Sequence, residues 1–489
     1  MAGAETTGRA AFLRAFPAIA SAIFIAAIDT TITATALPAI AARFGVAERI
    51  GWVVVAYLVA ATIAAPLFGR LGDAHGRRAM LRLGFAFQAL GMLGAGLAPS
   101  FEALLAARLV QGVGGGALLT LAMALVGETL PPRERGRYQG YLVGCFISAS
   151  AAGPLAGGWL TQALGWQAVF LAGLPLVVLG AVMASRLPAR SGSGAFRFDA
   201  PGTALFTVFV LALVAMLDRV QALRWEASAS ALGFGLLAAL AAWALLRVER
   251  RASDPLLPLP LLADPTIWRL SVLSACVQGV LVALISFLPL YLYAVRGVPL
   301  ATVGAMLLPM SLGGGLGALL SGQVMARTGR NMLLASIGLS VAVGFLCGLA
   351  VFAGRVPLAW LPFLLMAMSF AFGTSFPVAQ TTVQVAAGAA RIGVATASVQ
   401  FMRNLGSATG TALLATLLFG GFALADPGMA ERFGAVLKGG REALAALPEA
   451  ERAALAAGLA DGYRALFAGA AAIMAVAAVM AWRVPLRRL

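Results

Sequence analysis

The sequence predicts an all-α integral membrane fold with fourteen spans: two six-helix bundles and a pair of helices inserted between them. Three observations predict it. Of 489 residues, 61% are hydrophobic and 11% charged, where a soluble chain carries roughly 25% charged residues; the mean hydropathy is +0.93. Apolar runs recur along the whole chain, each of about 20 residues or more, enough to cross roughly 30 Å of hydrocarbon as a helix. A glycine- and arginine-bearing segment appears after the second run and again after the tenth, the mark of two related halves. A membrane β-barrel would show ~10-residue stretches of alternating polarity instead, and none is present.

The apolar runs lie at 15–38, 50–69, 79–98, 103–126, 137–160, 166–186, 200–218, 229–247, 267–294, 302–325, 332–353, 358–384, 392–423 and 463–483. The first begins near Ala15 and continues through Asp29 to Pro38, longer than a signal-peptide core, so it is expected to stay in the chain. An even number of spans places both termini on one side. Arg and Lys favour the loops on that side by roughly two to one, which assigns it to the cytoplasm. The formal charge of +16 is spread in pairs and triplets between apolar runs, a topology signal and not a nucleic-acid surface. The expected organisation is a bundle at 1–187, inserted helices at 188–250, a Pro-rich cytoplasmic linker at 251–266 and a second bundle at 267–489. The second bundle carries a long external loop at 424–462, helical in period over part of its length.

Cys145, Cys276 and Cys347 fall in three different apolar runs, and the single His75 lies in a loop. Neither a disulfide framework nor a metal site follows from them, and no metal or other cofactor is expected.

An ionisable group in a membrane span needs an account. Asp29 is the one carboxylate deep in a run, about 22 Å of helical rise from Arg14. Arg108, about 9 Å of rise from Glu102 on the fourth run, comes to a similar depth from the opposite side. If the first and fourth helices are neighbours, the two can pair. Desolvation and a nearby guanidinium act on a carboxylate in opposite directions, and that balance lets it bind and release a proton; a static structural pair is the alternative.

The repeated segment is Gly69-Arg70-Leu71-Gly72-Asp73-Ala74-His75-Gly76-Arg77-Arg78, with its second copy at Gly322-Gln323-Val324-Met325-Ala326-Arg327-Thr328-Gly329-Arg330-Asn331. In the first copy Asp73 and Arg77 can clasp a neighbouring helix in one conformation and release it in another, so Gly69, Asp73, Gly76, Arg77 and Arg78 form a candidate inner gate; a plain charged turn is the bland reading. On the fifth run Gly153 and Gly157 make a small-xxx-small face for close helix approach, and Pro154 removes a backbone donor.

These segments together resemble the major facilitator superfamily, and within it the fourteen-span drug:proton antiporters. Asp29-Thr30-Thr31 to Leu37-Pro38 is similar to that branch's first-helix signature, and Gly69 to Arg78 to the superfamily's inner-loop motif. Leu104, Arg108, Gln111, Gly112 and Gly114 resemble the fourth-helix motif, whose Arg is implicated in proton transfer. Gly144, Gly153, Pro154, Gly157 and Gly158 resemble the antiporter motif, and Gly165-Trp166-Gln167-Ala168-Val169-Phe170 the entry to the sixth helix. The resemblance implies alternating access of two bundles around a midplane cavity, with Asp29 and Arg108 coupling transport to protons and no ATP or cofactor required. It implies efflux of lipophilic drugs or related small molecules by a monomer in a bacterial inner (plasma) membrane.

Two departures bear on specificity. Ala326 stands where the first copy has Asp73, so the second half is expected to lack a carboxylate clasp. The penultimate span carries Arg403 and Asn404 where some relatives carry acids, which disfavours divalent cations and leaves neutral, monocationic or anionic lipophiles. Candidate pocket residues are Tyr57, Gln111, Gln278, Tyr291, Gln380, Gln384, Gln400, Phe401, Met402, Arg403 and Asn404, polar or adaptable side chains within spans. An exporter of one endogenous solute (a lipid, siderophore or sugar) is the second reading. A membrane-embedded enzyme or a scaffold is a third, and H-E-x-x-H, G-x-S-x-G and a P-loop are all absent from the sequence.

Overall fold

The structure is a computed structural model, and it describes residues 2–46, 49–188, 199–221, 225–252, 255, 259–296, 298, 300–352, 355–425 and 449–488. The first seven helices are α1 (Ala2–Phe44), α2 (Trp52–His75), α3 (Arg77–Gly96), α4 (Phe101–Thr129), α5 (Pro132–Leu164), α6 (Gln167–Leu171) and α7 (Leu174–Ser185). A hairpin of α8 (Ala200–Gln221) and α9 (Trp225–Glu249) follows, then a short α10 (Leu259–Leu262). The remainder comprises α11 (Pro265–Ala294), α12 (Leu300–Thr328), α13 (Met332–Phe352), α14 (Leu361–Gly373), α15 (Phe376–Ala387), α16 (Ile392–Ala425) and α17 (Glu449–Arg483).

Among the described residues thirteen segments are long and apolar enough to cross a membrane. Two of them are broken: α6 with α7 makes Gln167–Ser185, and α14 with α15 makes Leu361–Ala387. Each break has a proline in the first turn of the following helix, where its missing N–H leaves no bond unmade. The fourteenth expected span, 137–160, lies on the 33-residue α5, which is long enough to cross a membrane. Of the expected external loop, 426–448 falls outside the described residues, and its last part forms the start of α17.

The helices pack in two groups. In the first, α4 packs against α1, α2 and α3, α1 against α5, and α3 against α7. In the second, α16 and α17 pack on α11, α14 on α12, and α13 on α17. The groups meet along two lines, α5 with α12 and α2 with α16. The α8–α9 hairpin leans on that seam: Phe206 and Val210 pack with Val59 of α2, and Phe206 stacks on Phe401 of α16 at 4.9 Å. Large apolar side chains such as Leu155, Leu232 and Trp360 point outward, as expected where lipid is the solvent.

Both repeat copies end their helices alike. Gly76 closes α2 at φ 87° and Gly329 follows α12 at φ 66°, backbone that a side chain adopts only with strain. Gly76→Ala is expected to destabilise the fold by about 1–3 kcal/mol, read as a lowered thermal midpoint of the detergent-purified protein; an unchanged midpoint refutes the assignment of this turn.

Candidate functional site

The buried charges gather at two levels about 30 Å apart along α2, the rise between Val53 and Asp73. At the first level α1 supplies Asp29 and α4 supplies Arg108 and Gln111, all buried to 2% exposure or less. Arg108 Nη1 donates to Asp29 Oδ2 at 2.9 Å and to Gln111 Oε1 at 2.8 Å. Gln111 Nε2 donates to Asp29 Oδ1 at 2.6 Å, closing a three-residue ring. Arg108 Nε donates to the Val53 carbonyl at 3.0 Å, and its guanidinium lies over the rings of Tyr57 at 4.6 Å and Phe170 at 5.7 Å. Spacing on α4 explains the ring: Arg108 and Gln111 are three residues apart and share one helix face. Gly112, one position on, lies against the Tyr57 carbonyl where a Cβ would collide, so α2 and α4 close tightly around Arg108.

This cluster leaves one donor, Arg108 Nη2, without a partner. Each carboxylate oxygen of Asp29 accepts one hydrogen bond. Charge-assisted bonds of this kind hold both ionised partners in low dielectric, and losing either one strands the other.

The second level lies where α2 ends. Asp73 accepts the backbone N–H groups of Gly393 and Val394, both at 3.2 Å, in the first turn of α16. A carboxylate there satisfies orphan donors and faces the positive end of the helix dipole. Arg77 holds Asp73 in place through an ion pair, donates to Glu128 Oε1 at 2.7 Å, and reaches the Gly69 carbonyl at 3.2 Å. Arg78 lines a cavity of about 350 Å³ beside Asp73, Arg77, Glu128 and Arg135. Glu128 was not foreseen from the sequence, although a carboxylate near the C-terminal end of an apolar helix opposes the dipole and so signals a cationic partner.

The two repeat copies act alike in one respect and differently in another. Gly69 abuts the Gly393 carbonyl of α16, and Gly322 abuts the Gly136 carbonyl of α5, so each copy's first glycine is a crossing point between the groups. The Asp73 clasp has no carboxylate counterpart at Ala326. Neutral contacts also join the two groups. Met325 is fully buried against Gly136, Thr381 donates to Gln139 Oε1 at 3.3 Å, and Gln384 donates to the Met123 carbonyl at 3.0 Å. Asn331 donates to Thr382 at 2.9 Å and to the Leu486 carbonyl at 2.8 Å, tying down the C-terminal tail.

Among the fifth-helix glycines, Gly153 lies against Thr31 and Gly157 against Thr35 and Ile32 of α1, so a side chain at either position would push the helices apart. Nothing stands within 4 Å of a Cβ built at Gly144 or Gly158. The side chain of Pro154 is outside the described residues.

The remaining expected pocket residues divide. Gln278, Gln400, Arg403 and Asn404 come together at the junction of α11 and α16, with Asn404 donating to Thr62 of α2 at 3.0 Å. Met402 is half-buried beside them. Tyr291 is only 1% exposed in an aromatic cluster with Tyr463 and Phe467, so packing and not ligand contact occupies it. Phe401 faces the α8–α9 hairpin. Gln384 is engaged in the contact between groups, and Gln380 is buried with its amide nitrogen unpartnered. Among the described residues no group of three or more His, Cys, Asp or Glu could hold a metal ion.

The described helices thus form two packed groups, with buried charges inside the first group and an acidic contact where the two meet. The chain belongs to the Major Facilitator Superfamily, whose pattern matches residues 19–411. It is 32% identical over 404 residues to the uncharacterised MFS-type transporter Rv1877 of Mycobacterium tuberculosis, covering 82% of this chain and 59% of that protein. The chain thus spans well under two thirds of that relative's length. It is 28% identical over 432 residues to the multidrug transporter protein MdtP of Bacillus subtilis, covering 86% and 79% of the two chains. Among solved structures the proton:xylose symporter XylE superposes with a TM-score of 0.64 at 14% identity, covering 98% and 97%, which establishes the shared fold.

Two substitutions test the site's mechanics. Asp73→Asn is expected to weaken the hold on α16 and lengthen the distance between spin labels at His75→Cys and Ala389→Cys, measured by double electron–electron resonance; an unmoved distance distribution rules out the clasp. Gly157→Ala is expected to lower the thermal midpoint while Gly158→Ala leaves it within the equivalent of about 0.5 kcal/mol, and equal losses at both positions contradict the packing described.

Proposed function

We propose that this chain is a proton-coupled exporter of lipophilic small molecules in a bacterial inner membrane, working by alternating access with both termini in the cytoplasm. The observation that carries the reading is the ring of Asp29, Arg108 and Gln111, sealed from solvent, while contacts between the groups close the Asp73 end. Multidrug and efflux names among the relatives support it.

The cycle follows from charge. With Asp29 ionised, its pair with Arg108 is compact and neutral overall. Protonating Asp29 removes the counter-charge, leaving Arg108 as an uncompensated buried cation, a state costing several kcal/mol. The bundle orientation that gives Arg108 water or another partner is then favoured, because a ligand shifts a conformational equilibrium only through unequal affinity for its two states. Protons entering from outside and leaving inside bias the turn in opposite senses, and the pH gradient drives export with no cofactor. Release of Asp73 and of the neutral contacts around Gln139 and Gln384 opens the inner face.

Asp29→Asn keeps the shape and most hydrogen bonds of the ring but cannot titrate. In proteoliposomes with an imposed pH gradient it is expected to lose about tenfold or more of the driven export rate, a barrier change near 1.4 kcal/mol per decade. Full pH-driven transport by correctly inserted Asp29→Asn protein refutes the assignment.

A further inference from the structure

Arg403 is a half-buried charge that the coupling scheme leaves without a role. It projects from the middle of α16 to the point where α11, α15 and α16 converge. Its Nη2 donates to Gln278 Oε1 at 3.2 Å, its guanidinium lies over the Phe376 ring at 4.7 Å, and its Nε is buried with no acceptor. Among the described residues no carboxylate reaches it within ion-pair distance. The neighbouring amides are committed elsewhere: Gln400 Nε2 donates to Asn404 Oδ1 at 3.1 Å, and Asn404 Nδ2 to Thr62 Oγ1 at 3.0 Å. One neutral oxygen and one ring face do not neutralise a guanidinium in low dielectric.

We propose that Arg403 is the anion-recognising residue of the substrate site, and that the preferred cargo is a monoanion on an apolar body, a carboxylate above all. The inference rests on the export reading for its transport consequence, though the binding site itself does not.

Three features favour this class. Asp29 and Arg108 satisfy each other, whereas Arg403 has no ion-pair partner among the described residues. A guanidinium offers parallel N–H donors that match a carboxylate, and Nε with an Nη group is the forked pair such a ligand takes. The Phe376 ring beside it supplies an apolar flank for the ligand body. The location also links cargo to conformation. Asn404, next in the chain, makes the hydrogen bond to Thr62 that crosses between the two groups, about 7.5 Å of rise along α2 from Tyr57 and the Asp29 cluster. A carboxylate drawn onto Arg403 therefore sits where the groups must part.

The test uses three probes sharing one fluorescent body: 1-pyrenebutyrate, 1-pyrenebutanol and a pyrenebutyl-trimethylammonium ion. Binding to the full-length, detergent-purified protein is measured at about pH 7.5, where a carboxylic acid is ionised. The wild type is expected to bind the acid about tenfold more tightly than the alcohol, with the cation weakest. Arg403→Gln is expected to collapse the acid-to-alcohol ratio to near unity, and Arg403→Lys to restore part of it. A purely structural Arg403 would lower the thermal midpoint of the variants without moving that ratio. The proposal is overturned if the wild type binds the acid no better than the alcohol, if it does not bind the acid at all, or if Arg403→Gln keeps the preference. The export reading is scored separately, by transport of the same probes in proteoliposomes. An Arg403-dependent acid preference with no pH-driven movement of any probe removes export and leaves the anion site standing.

Discussion

A charge in hydrocarbon needs a counter-charge, and the rest of this structure is arranged around that need. The ion pair of Asp29 and Arg108 at 2.9 Å draws α1 and α4 together, and Gln111 and the Val53 carbonyl complete its hydrogen bonding. Small residues follow as a consequence: Gly112 lets α2 come in over the guanidinium, and Gly153 and Gly157 let α5 lie on α1 just beyond Asp29. Neutralise one member, and the other is left with a solvation deficit of several kcal/mol.

The second level of charge links the two groups of helices. Asp73, positioned by Arg77 and Glu128, binds the first-turn amides of α16 and so joins the two groups across α2 and α16. The other line of contact, α5 with α12, closes among the described residues without a carboxylate, through the glycine crossings at Gly136, Gly140 and Gly322 and through Met325. The closure is thus electrostatic along one line and built from packing along the other. Among the described residues only the first carries an ion pair, that of Arg77 with Asp73 and Glu128. Two differences between the repeats underlie this asymmetry, Asp73 against Ala326 and Gly72 against Met325.

Much of the site could be read from the chain. A carboxylate and an arginine at matching depth on two apolar runs predicted the pairing of Asp29 with Arg108, because helical rise converts residue number into depth. The repeated glycine segment marked the helix ends that Gly76 and Gly329 close with positive φ. Pocket membership was far less legible. Tyr291 and Phe401 have the chemistry of ligand-lining residues, yet one lies in an aromatic core and the other against the inserted hairpin. Helical periodicity says which residues share a face but not which neighbour that face meets. Glu128 and Gln139 escaped notice for the same reason, since their partners are far away in sequence.

The sequence by itself determined that the chain crosses a membrane many times, that it has two related halves, and that one acid and one arginine must find each other inside. These follow from composition, run length and the cost of burying charge, and none depends on how the helices are placed around one another. Tertiary structure alone decided which ends of the halves touch, that Asp73 caps α16, and that Arg403 is left facing Gln278 and Phe376 with no acid among the described residues in ion-pair reach. Those outcomes depend on helix rotation and crossing geometry. Close packing sets both, through contacts between side chains hundreds of residues apart.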